Sequence, residues 1–268
     1  MDVFVKHYLQ QGVDHIYIVN NNSTDGIEDF VACHVFRNSI TLINDPRDLQ
    51  ILQSNEGNNG HCRLMNENLY DLIKRETEWA IFIDADEFMY GKNGDTIKTF
   101  VRSVSDEIGC IYVLWTIINP VLPLTNGFSL QQNTKRVNYD KMSQLSYLIQ
   151  NANDFGKSIV RTSMLNDGRK LWIHKIYVDG VTMNNYGMIN TNWYDNANGV
   201  QWSEKSFQEL KITMNHYAIR NASDFEKKKS QLTTVSCKTN FIQGLIDMLE
   251  LPDEMLVEDT YVAQIQRM

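Results

Sequence analysis

The sequence has no apolar run of about 18 residues, the length that a membrane-spanning helix requires. Its first residues, MDVFVKHYLQQG, also lack the basic, apolar and small-residue order of a secretory signal peptide. The cysteines are far apart and form no C-x-x-C pair, which argues against a zinc site and favours scattered reduced thiols; they are Cys33, Cys62, Cys110 and Cys237. We therefore expect a cytoplasmic protein, or a lumenal one if an N-terminal segment is missing from this sequence.

Positive charge is also scarce. The formal net charge is -8 and the isoelectric point is near 5.3, so the chain lacks the phosphate-neutralising surface of a general nucleic-acid or anionic-membrane binder. A local basic pocket is still allowed. With 268 residues and 43% hydrophobic content, the chain is long enough for one large α/β domain, and no composition break divides residues 1–268.

Helical and strand-like segments alternate along the first half of the chain, which predicts a mostly parallel sheet covered by helices. The second half is less regular, with three further strands, a long Asn-rich loop and two closing helices. The predicted helices are 3–11, one after Asp25 with Glu28 at capping-box spacing, one after the polar connection 53–60, 96–104, 222–232 and 239–250. The predicted strands are 15–20, 40–44, 79–84, 110–118, 157–165, 171–179 and 210–218, and the loop is 184–203.

The stretch WAIFIDADEFMYG, residues 79–91, places carboxylates directly after a buried strand. Asp84 and Asp86 lie where ligands bind in open α/β sheets, past the carboxyl end of a strand. Alternation points both carboxylates to one side and Ala85 toward the core, so they can meet one hard cation such as Mg²⁺ or Mn²⁺. The alternative is a solvated turn at the end of a strand.

Four segments, in order, carry a family resemblance: GVDHIYIVNNNSTDG, EWAIFIDADEF, KSIVR and NHYAIRNASDFEKK. Together they resemble glycosyltransferase family 92 and neighbouring family-2-like enzymes of the GT-A fold, over most of the chain. The resemblance implies a single domain with a Rossmann-type mixed sheet flanked by helices. Its nucleotide-binding half would be 1–118, and its acceptor-binding half with the C-terminal helices would be 119–268.

Members of that family begin with a strand that ends in a Lys-Asn-Glu-like sequence, upstream of the helix predicted here at 3–11. This sequence has no counterpart of that strand, so the resemblance implies a sheet without its usual first strand. The segment 118–130 also departs from the family, which has a Gly-Ser-Ser-Gly-like segment there, so we expect a different acceptor site.

The resemblance implies a metal-dependent, inverting enzyme that moves a hexosyl or deoxyhexosyl group from a nucleoside-diphosphate sugar to a glycan or other hydroxyl acceptor. The turn that contains Asn20, Asn22 and Asp25 would cradle the base and ribose of the nucleotide, and Asp84 would approach the ribose.

The resemblance further implies that Asp86, with Asp84, holds Mn²⁺ or Mg²⁺ on the diphosphate and that His216 is a third metal ligand. Lys157 and Lys228 would neutralise phosphate charge. Each has a structural alternative: His216 fits a hydrogen-bonded histidine on a half-buried strand, and the lysines fit a strand start and a solvated helix face.

Glycosyl transfer also needs a base that deprotonates the acceptor hydroxyl. Asp179 ends the alternating strand WIHKIYVDG and is our first candidate, and Asp195 in the Asn-rich loop is the second. A structural role in a β-turn is the alternative for both. Trp172, Trp193 and Trp202 are candidates for stacking on a sugar, although buried packing is the commoner use of tryptophan.

Other functions remain open at this point. A sugar nucleotidyltransferase would also use metal carboxylates, but it should have a Gly-rich, basic phosphate loop near the N-terminus, and the sequence has none. A phosphatase with D-x-D as nucleophile and acid expects a small hydroxylic residue where Glu87 and Phe88 stand. A non-catalytic module that binds nucleotide-sugars or glycans is the remaining alternative.

Overall fold

The computed structural model describes residues 1–47, 60–120, 122–124, 133–167, 171, 172, 174, 176–189, 200, 202–231, 236–259 and 261. The α-helices in this part of the chain are α1 Asp2–Gln10, α2 Ile27–Cys33, α3 Gly60–Glu76, α4 Ile97–Ser103, α5 Tyr147–Asn153, α6 Glu204–Glu209, α7 Ala222–Gln231 and α8 Ser236–Leu249. The strands are β1 Ile16–Asn20, β2 Ile40–Asn44, β3 Trp79–Ile81, β4 Glu87–Gly91, β5 Ile108–Asn119, β6 Lys135–Val137, β7 Gly156–Arg161, β8 Val181–Asn184, β9 Ile212–His216 and β10 Leu256–Glu258.

Strand β5 is the centre of a mixed eight-stranded sheet. All twelve of its residues are buried, which agrees with the uninterrupted apolar run in its sequence. Its first part pairs with β7 (antiparallel) and β8 (parallel), and its last part pairs with β9 (parallel) and β6 (antiparallel). Strand β3 extends the sheet beyond β7, β10 pairs with β6, and β4 pairs with β9. The fold is therefore α/β with a mixed sheet flanked by helices.

Two expectations about the sheet were wrong. A mostly parallel sheet was predicted, but the pairs β3–β7, β5–β7, β5–β6, β6–β10 and β4–β9 are antiparallel. The predicted strands 15–20, 40–44, 79–84 and 110–118 were also expected in one sheet, whereas β1 and β2 form a separate parallel pair. The reason is that strand order depends on long-range pairing, which the local alternation of β and α segments does not encode.

A cavity of about 690 Å³ lies between this pair and the main sheet. Residues of β1 and β3 line it from two sides, and Phe4 and Tyr8 of α1 line it as well. Asn21, Ser23 and Asp84 also contribute to its lining. The cavity therefore reaches from an apolar interior to the polar segments that follow β1 and β3.

Most predicted helices are confirmed to within a few residues. Helix α1 is followed by Gly12 with φ +82°, a left-handed conformation that favours glycine. The proposed capping box of α2 is not formed: the helix begins after Gly26, and Glu28 instead accepts a hydrogen bond from Asn44. Helix α4 does have such a box, made by Thr96 and Thr99.

The predicted strands 79–84 and 171–179 differ most from the structure. The first is shorter and ends at Ile81, so the two aspartates follow it in an irregular segment and turn, and Ala85 is exposed rather than facing the core. In the second, the described residues form only an isolated bridge between Leu165 and Val178. Connection 53–59 and residues 190–199 of the predicted loop lie outside the described part of the chain. No helix within the described residues is both long enough and apolar enough to span a membrane.

Candidate active site

The Asp84–Asp86 segment connects β3 to β4, and strand pairing brings His216 to it. Glu87, the first residue of β4, pairs in register with His216, the last residue of β9. The amide of Tyr217 donates a hydrogen bond to the carbonyl oxygen of Asp86 over 2.9 Å, which fixes the turn against the end of β9. Residues far apart in the sequence therefore meet where β3 and β9 end.

His216 Nε2 lies 4.0 Å from Asp86 Oδ1, so the approach expected between these two side chains is observed. Burial, helped by the charge of nearby Lys228, lowers the pKa of His216 to about 3. The imidazole is therefore neutral near pH 7 and keeps a nitrogen lone pair. Burial and the charge of Asp84 raise the pKa of Asp86, while Arg220 and Lys228 oppose that rise.

Asp84 is held by a lysine from the neighbouring strand. Lys157 Nζ lies 2.7 Å from Asp84 Oδ2, and the lysine side chain is 1% exposed. Burial acts to raise the pKa of Asp84, but the charge and hydrogen bond of Lys157 outweigh it and the pKa lies below its ordinary value. The positive charge of Lys157 is thus already balanced by a carboxylate of the protein itself.

Glu87 lies beneath this pair and was not singled out as a site residue from the sequence. Its side chain is 0% exposed, and its Oε2 accepts a hydrogen bond from the Asp84 amide and lies 3.5 Å from Lys157 Nζ. Its Oε1 has no hydrogen-bond partner among the described residues. Burial raises the pKa of Glu87 to about 8, against the opposing charge of Lys157. The unusual run of three carboxylates within four residues was the available signal.

Helix α7 adds positive charge on the Asp86 side. Lys228 is half-buried there, and burial lowers its pKa while Asp86 and Asp224 oppose that shift. Arg220 precedes the helix, donates from Nε to Asp224 over 2.6 Å, and was another residue that the sequence did not single out. The positive charge of Lys228 therefore acts on Asp86, and its role toward phosphate stays a prediction.

Asparagines at the end of β1 and directly after it shape the turn that follows. Asn20 donates to Asn44 over 2.9 Å and accepts from the Ser23 amide, and Asn22, at φ +55°, donates to the carbonyl oxygen of Pro46. Asp25 is exposed. Among the residues of this turn, Asn21 and Ser23 share the lining of the cavity with Asp84.

The structure does not bring Asp179 to this cluster. Asp179 is exposed, accepts a hydrogen bond from Asn166, and directly precedes the short segment where Val181 pairs with Ile108. His216 pairs with Ile117, nine residues further along β5, so the two sites are separated by roughly 30 Å of strand. Asp179 is therefore out of reach of a sugar bound at Asp86. It lies just before β8, at the end of the sheet where β5 begins, whereas His216 lies near the end of β5.

The other candidates have different outcomes. Asp195 and Trp193 lie outside the described residues. Trp172 is 41% exposed, whereas Trp202 packs on Tyr139 with ring centroids 5.0 Å apart, which is a packing role.

The described residues contain no group of three His, Cys, Asp or Glu side chains arranged to hold a metal ion. Asp86 and His216 offer a carboxylate oxygen and a neutral imidazole, a pair that suits Mn²⁺ better than Mg²⁺, which prefers oxygen ligands, if other ligands come from substrate and water. Asp84 is engaged by Lys157 instead. The residues therefore fit a divalent cation whose remaining ligands come from substrate and water. They do not fit a cation that is coordinated by protein side chains alone.

The fold is α/β with a mixed sheet flanked by helices, and an acidic cluster lies near the ends of β3 and β9. The sequence matches the profile for glycosyltransferase family 92 over residues 2–243. The protein therefore belongs to glycosyltransferase family 92, and the resemblance seen in the sequence is confirmed. A comparison with curated proteins gives no match.

Proposed function

We propose that the protein transfers a hexosyl or deoxyhexosyl group from a nucleoside-diphosphate sugar to a hydroxyl group of a glycan or similar acceptor, with Mn²⁺ or Mg²⁺ and with inversion. The observation that best supports this proposal is the 4.0 Å approach of His216 to Asp86, two residues from Asp84, which lines a cavity. Membership of a glycosyltransferase family gives the reaction class. The donor type, the metal and the stereochemistry are our inference.

We assign the nucleotide to the cavity between β1 and β3. Its volume of about 690 Å³ is within the usual range for small-molecule sites, and its apolar wall with a few polar groups is typical of them. In this assignment Asn20 and Asn22 hold the turn in shape, Asp25 lies at its exposed rim, and Asp84 faces the ribose.

The diphosphate would lie near Asp86 in this arrangement. Lys228 is the better phosphate partner of the two lysines, because Lys157 is already occupied by Asp84 and Glu87. Asp86 and His216 would hold the divalent cation, which when bound would offset negative charge on the leaving diphosphate. The neutral state of His216 suits this role because a protonated imidazole has no lone pair to donate.

In an inverting transfer the acceptor oxygen attacks the anomeric carbon from the face opposite the diphosphate. One carbon–oxygen bond forms, the bond to the phosphate oxygen breaks, and the acceptor proton passes to a base. Asp195 remains a proposal for that base. Among the described residues we propose Asp154, which is half-buried and three residues before Lys157, so that their backbones lie at most about 11 Å apart.

Burial raises the pKa of Asp154 to about 6. A carboxylate with a pKa near the working pH is a more effective proton acceptor than one with an ordinary pKa. This is the property required of the base, and the exposed Asp179 lies too far away to supply it.

Calorimetry with a panel of sugar nucleotides, with and without Mn²⁺, tests the proposed function. We expect one donor to bind only with the metal and to be hydrolysed slowly when no acceptor is present. Formation of a sugar nucleotide from a sugar phosphate and a nucleoside triphosphate would identify a nucleotidyltransferase instead. Donor binding without hydrolysis or transfer would indicate a binding module.

A further inference from the structure

Four aromatic rings cluster with the ring of His216. We call the five rings together the aromatic wall: Trp115, Phe155, His174, His216 and Phe241. The Trp115 ring centroid lies 4.4 Å from that of His216, 5.8 Å from that of Phe155 and 5.8 Å from that of Phe241. The rings of His216 and Phe241 are almost parallel, at an interplanar angle of 11°.

The aromatic wall contains one buried ring and two rings that are partly exposed. Trp115 is 4% exposed, and its indole N–H donates to the carbonyl oxygen of Ala152 over 2.7 Å. Phe155 and Phe241, in contrast, are only half-buried. Two apolar rings therefore keep part of their surface open on a rigid support, which lowers the entropy cost of binding a ligand there.

The wall also adjoins the reacting groups. His216 belongs to it and lies 4.0 Å from Asp86, and Phe155 is two residues before Lys157, which contacts Asp84. None of the five rings is among the described residues that line the cavity between β1 and β3. The wall and the cavity are therefore two separate surfaces that meet at the Asp84–Asp86 turn.

We propose that the aromatic wall binds the acceptor, and that this acceptor is a saccharide whose pyranose ring stacks on Phe155 and Phe241. A pyranose has a face of C–H groups that packs on an aromatic ring, while its hydroxyl groups project from the edge of the sugar. That arrangement directs a hydroxyl toward Asp86 while the apolar face covers the open rings. The inference rests on the proposed function, since it assigns the second substrate of the same reaction.

Saturation-transfer NMR with a panel of methyl glycosides of common hexoses and xylose tests the proposal. We expect at least one to bind the wild-type protein, with its C–H protons saturated most strongly. Phe155→Ala and Phe241→Ala should each weaken this binding about tenfold, the effect of losing one aromatic contact. Phe241→Tyr should retain it because the ring is kept. Phe36→Ala, which truncates an exposed phenylalanine that contacts His34, is the matched control and should have no effect.

Donor binding separates this proposal from the proposed function. Metal-dependent donor binding and slow donor hydrolysis should persist in both alanine variants while saccharide binding is weakened. Absence of saccharide binding to the wild-type protein at roughly 100 mM, a hundred times a millimolar dissociation constant, would overturn the proposal. Equal binding by the wild-type protein and both alanine variants would also overturn it. Failure of donor binding in the wild-type protein would instead refute the proposed function.

Discussion

Lys157 Nζ lies 2.7 Å from Asp84 Oδ2, although the lysine side chain is 1% exposed and the aspartate side chain is 60% exposed. The pair therefore spans the boundary between the interior and the site. On its inner side the lysine lies 3.5 Å from Glu87, which is fully buried. A buried cation thus links a carboxylate of the core to a largely exposed carboxylate that lines the cavity.

Replacing Lys157 by methionine should destabilise the protein by about 2 kcal/mol, because the variant loses hydrogen bonding to charged groups and leaves Glu87 without its cation. The loss is limited because Glu87, with a pKa of about 8, already binds a proton readily. Urea denaturation near pH 7 measures the change. Lys74→Met is the control: it breaks the largely exposed pair with Asp167 and should cost about 0.5 kcal/mol or less. Equal losses in the two variants would contradict the buried role of Lys157.

Replacing Asp86 by alanine should abolish metal-dependent donor binding and leave the melting temperature unchanged or raised. The reason is that the raised pKa of Asp86 marks an ionised carboxylate that the folded state disfavours, so its removal relieves repulsion at neutral pH. Calorimetry and thermal unfolding check both parts. Asp106→Ala, at a fully exposed carboxylate near Arg161, should alter neither donor binding nor stability. A large loss of stability in the Asp86 variant would identify a structural residue.

His7 should make the protein sensitive to acid. It is buried beneath β4, where its Nε2 bonds to the carbonyl oxygen of Met89 over 2.7 Å, and burial lowers its pKa to about 4. The unfolded state, with an ordinary pKa of about 6.5, binds the proton first. The stability that the neutral ring contributes is therefore complete above about pH 6.5 and is lost as the pH falls toward 4.

Between pH 7 and pH 5 this single group should remove about 2 kcal/mol from the free energy of unfolding. The measurement is urea denaturation at both pH values for the wild-type protein and His7→Gln, whose amide can still donate to Met89. The variant should lose less stability than the wild type over this interval. An identical pH dependence would show that His7 titrates normally.

Asp154 and Asp179 should differ in their effect on transfer. In the wild-type protein we expect kcat/KM, which reports the pKa of the free enzyme, to rise with pH through about 6, the pKa to which burial raises Asp154. Asp154→Asn should lower kcat and abolish this rise while donor binding persists. Asp179→Asn, at the far edge of the sheet, should leave transfer within about twofold of the wild type. The reverse pattern would restore Asp179 as the base.

The sequence was informative where local chemistry determines structure. The apolar run of β5 and Gly12 after α1 each have a local cause, and the structure places both as expected. The predicted strand 171–179 shows the limit of local patterns. Alternation favours an extended segment, but a strand also needs a pairing partner, and that partner is distant in the sequence.

Non-local contacts also explain the missed site residues. Glu87 was overlooked because its burial depends on the pairing of β4 with β9. The aromatic wall collects rings from β5, β9, α8 and the segments near 155 and 174, and no spacing in the sequence links them. The expected nearness of Asp179 to Asp86 was wrong because a carboxylate beside a predicted strand does not reveal at which end of the sheet it lies.

The most direct test of the central claim is pulsed electron paramagnetic resonance of Mn²⁺ bound with a nucleoside diphosphate. If Asp86 and His216 hold the cation, the wild-type complex should show electron spin echo modulation from one imidazole nitrogen. His216→Gln should remove that modulation, although five other histidines remain of the six in the chain. Modulation that is absent from the wild-type complex, or that persists in His216→Gln, would contradict the account.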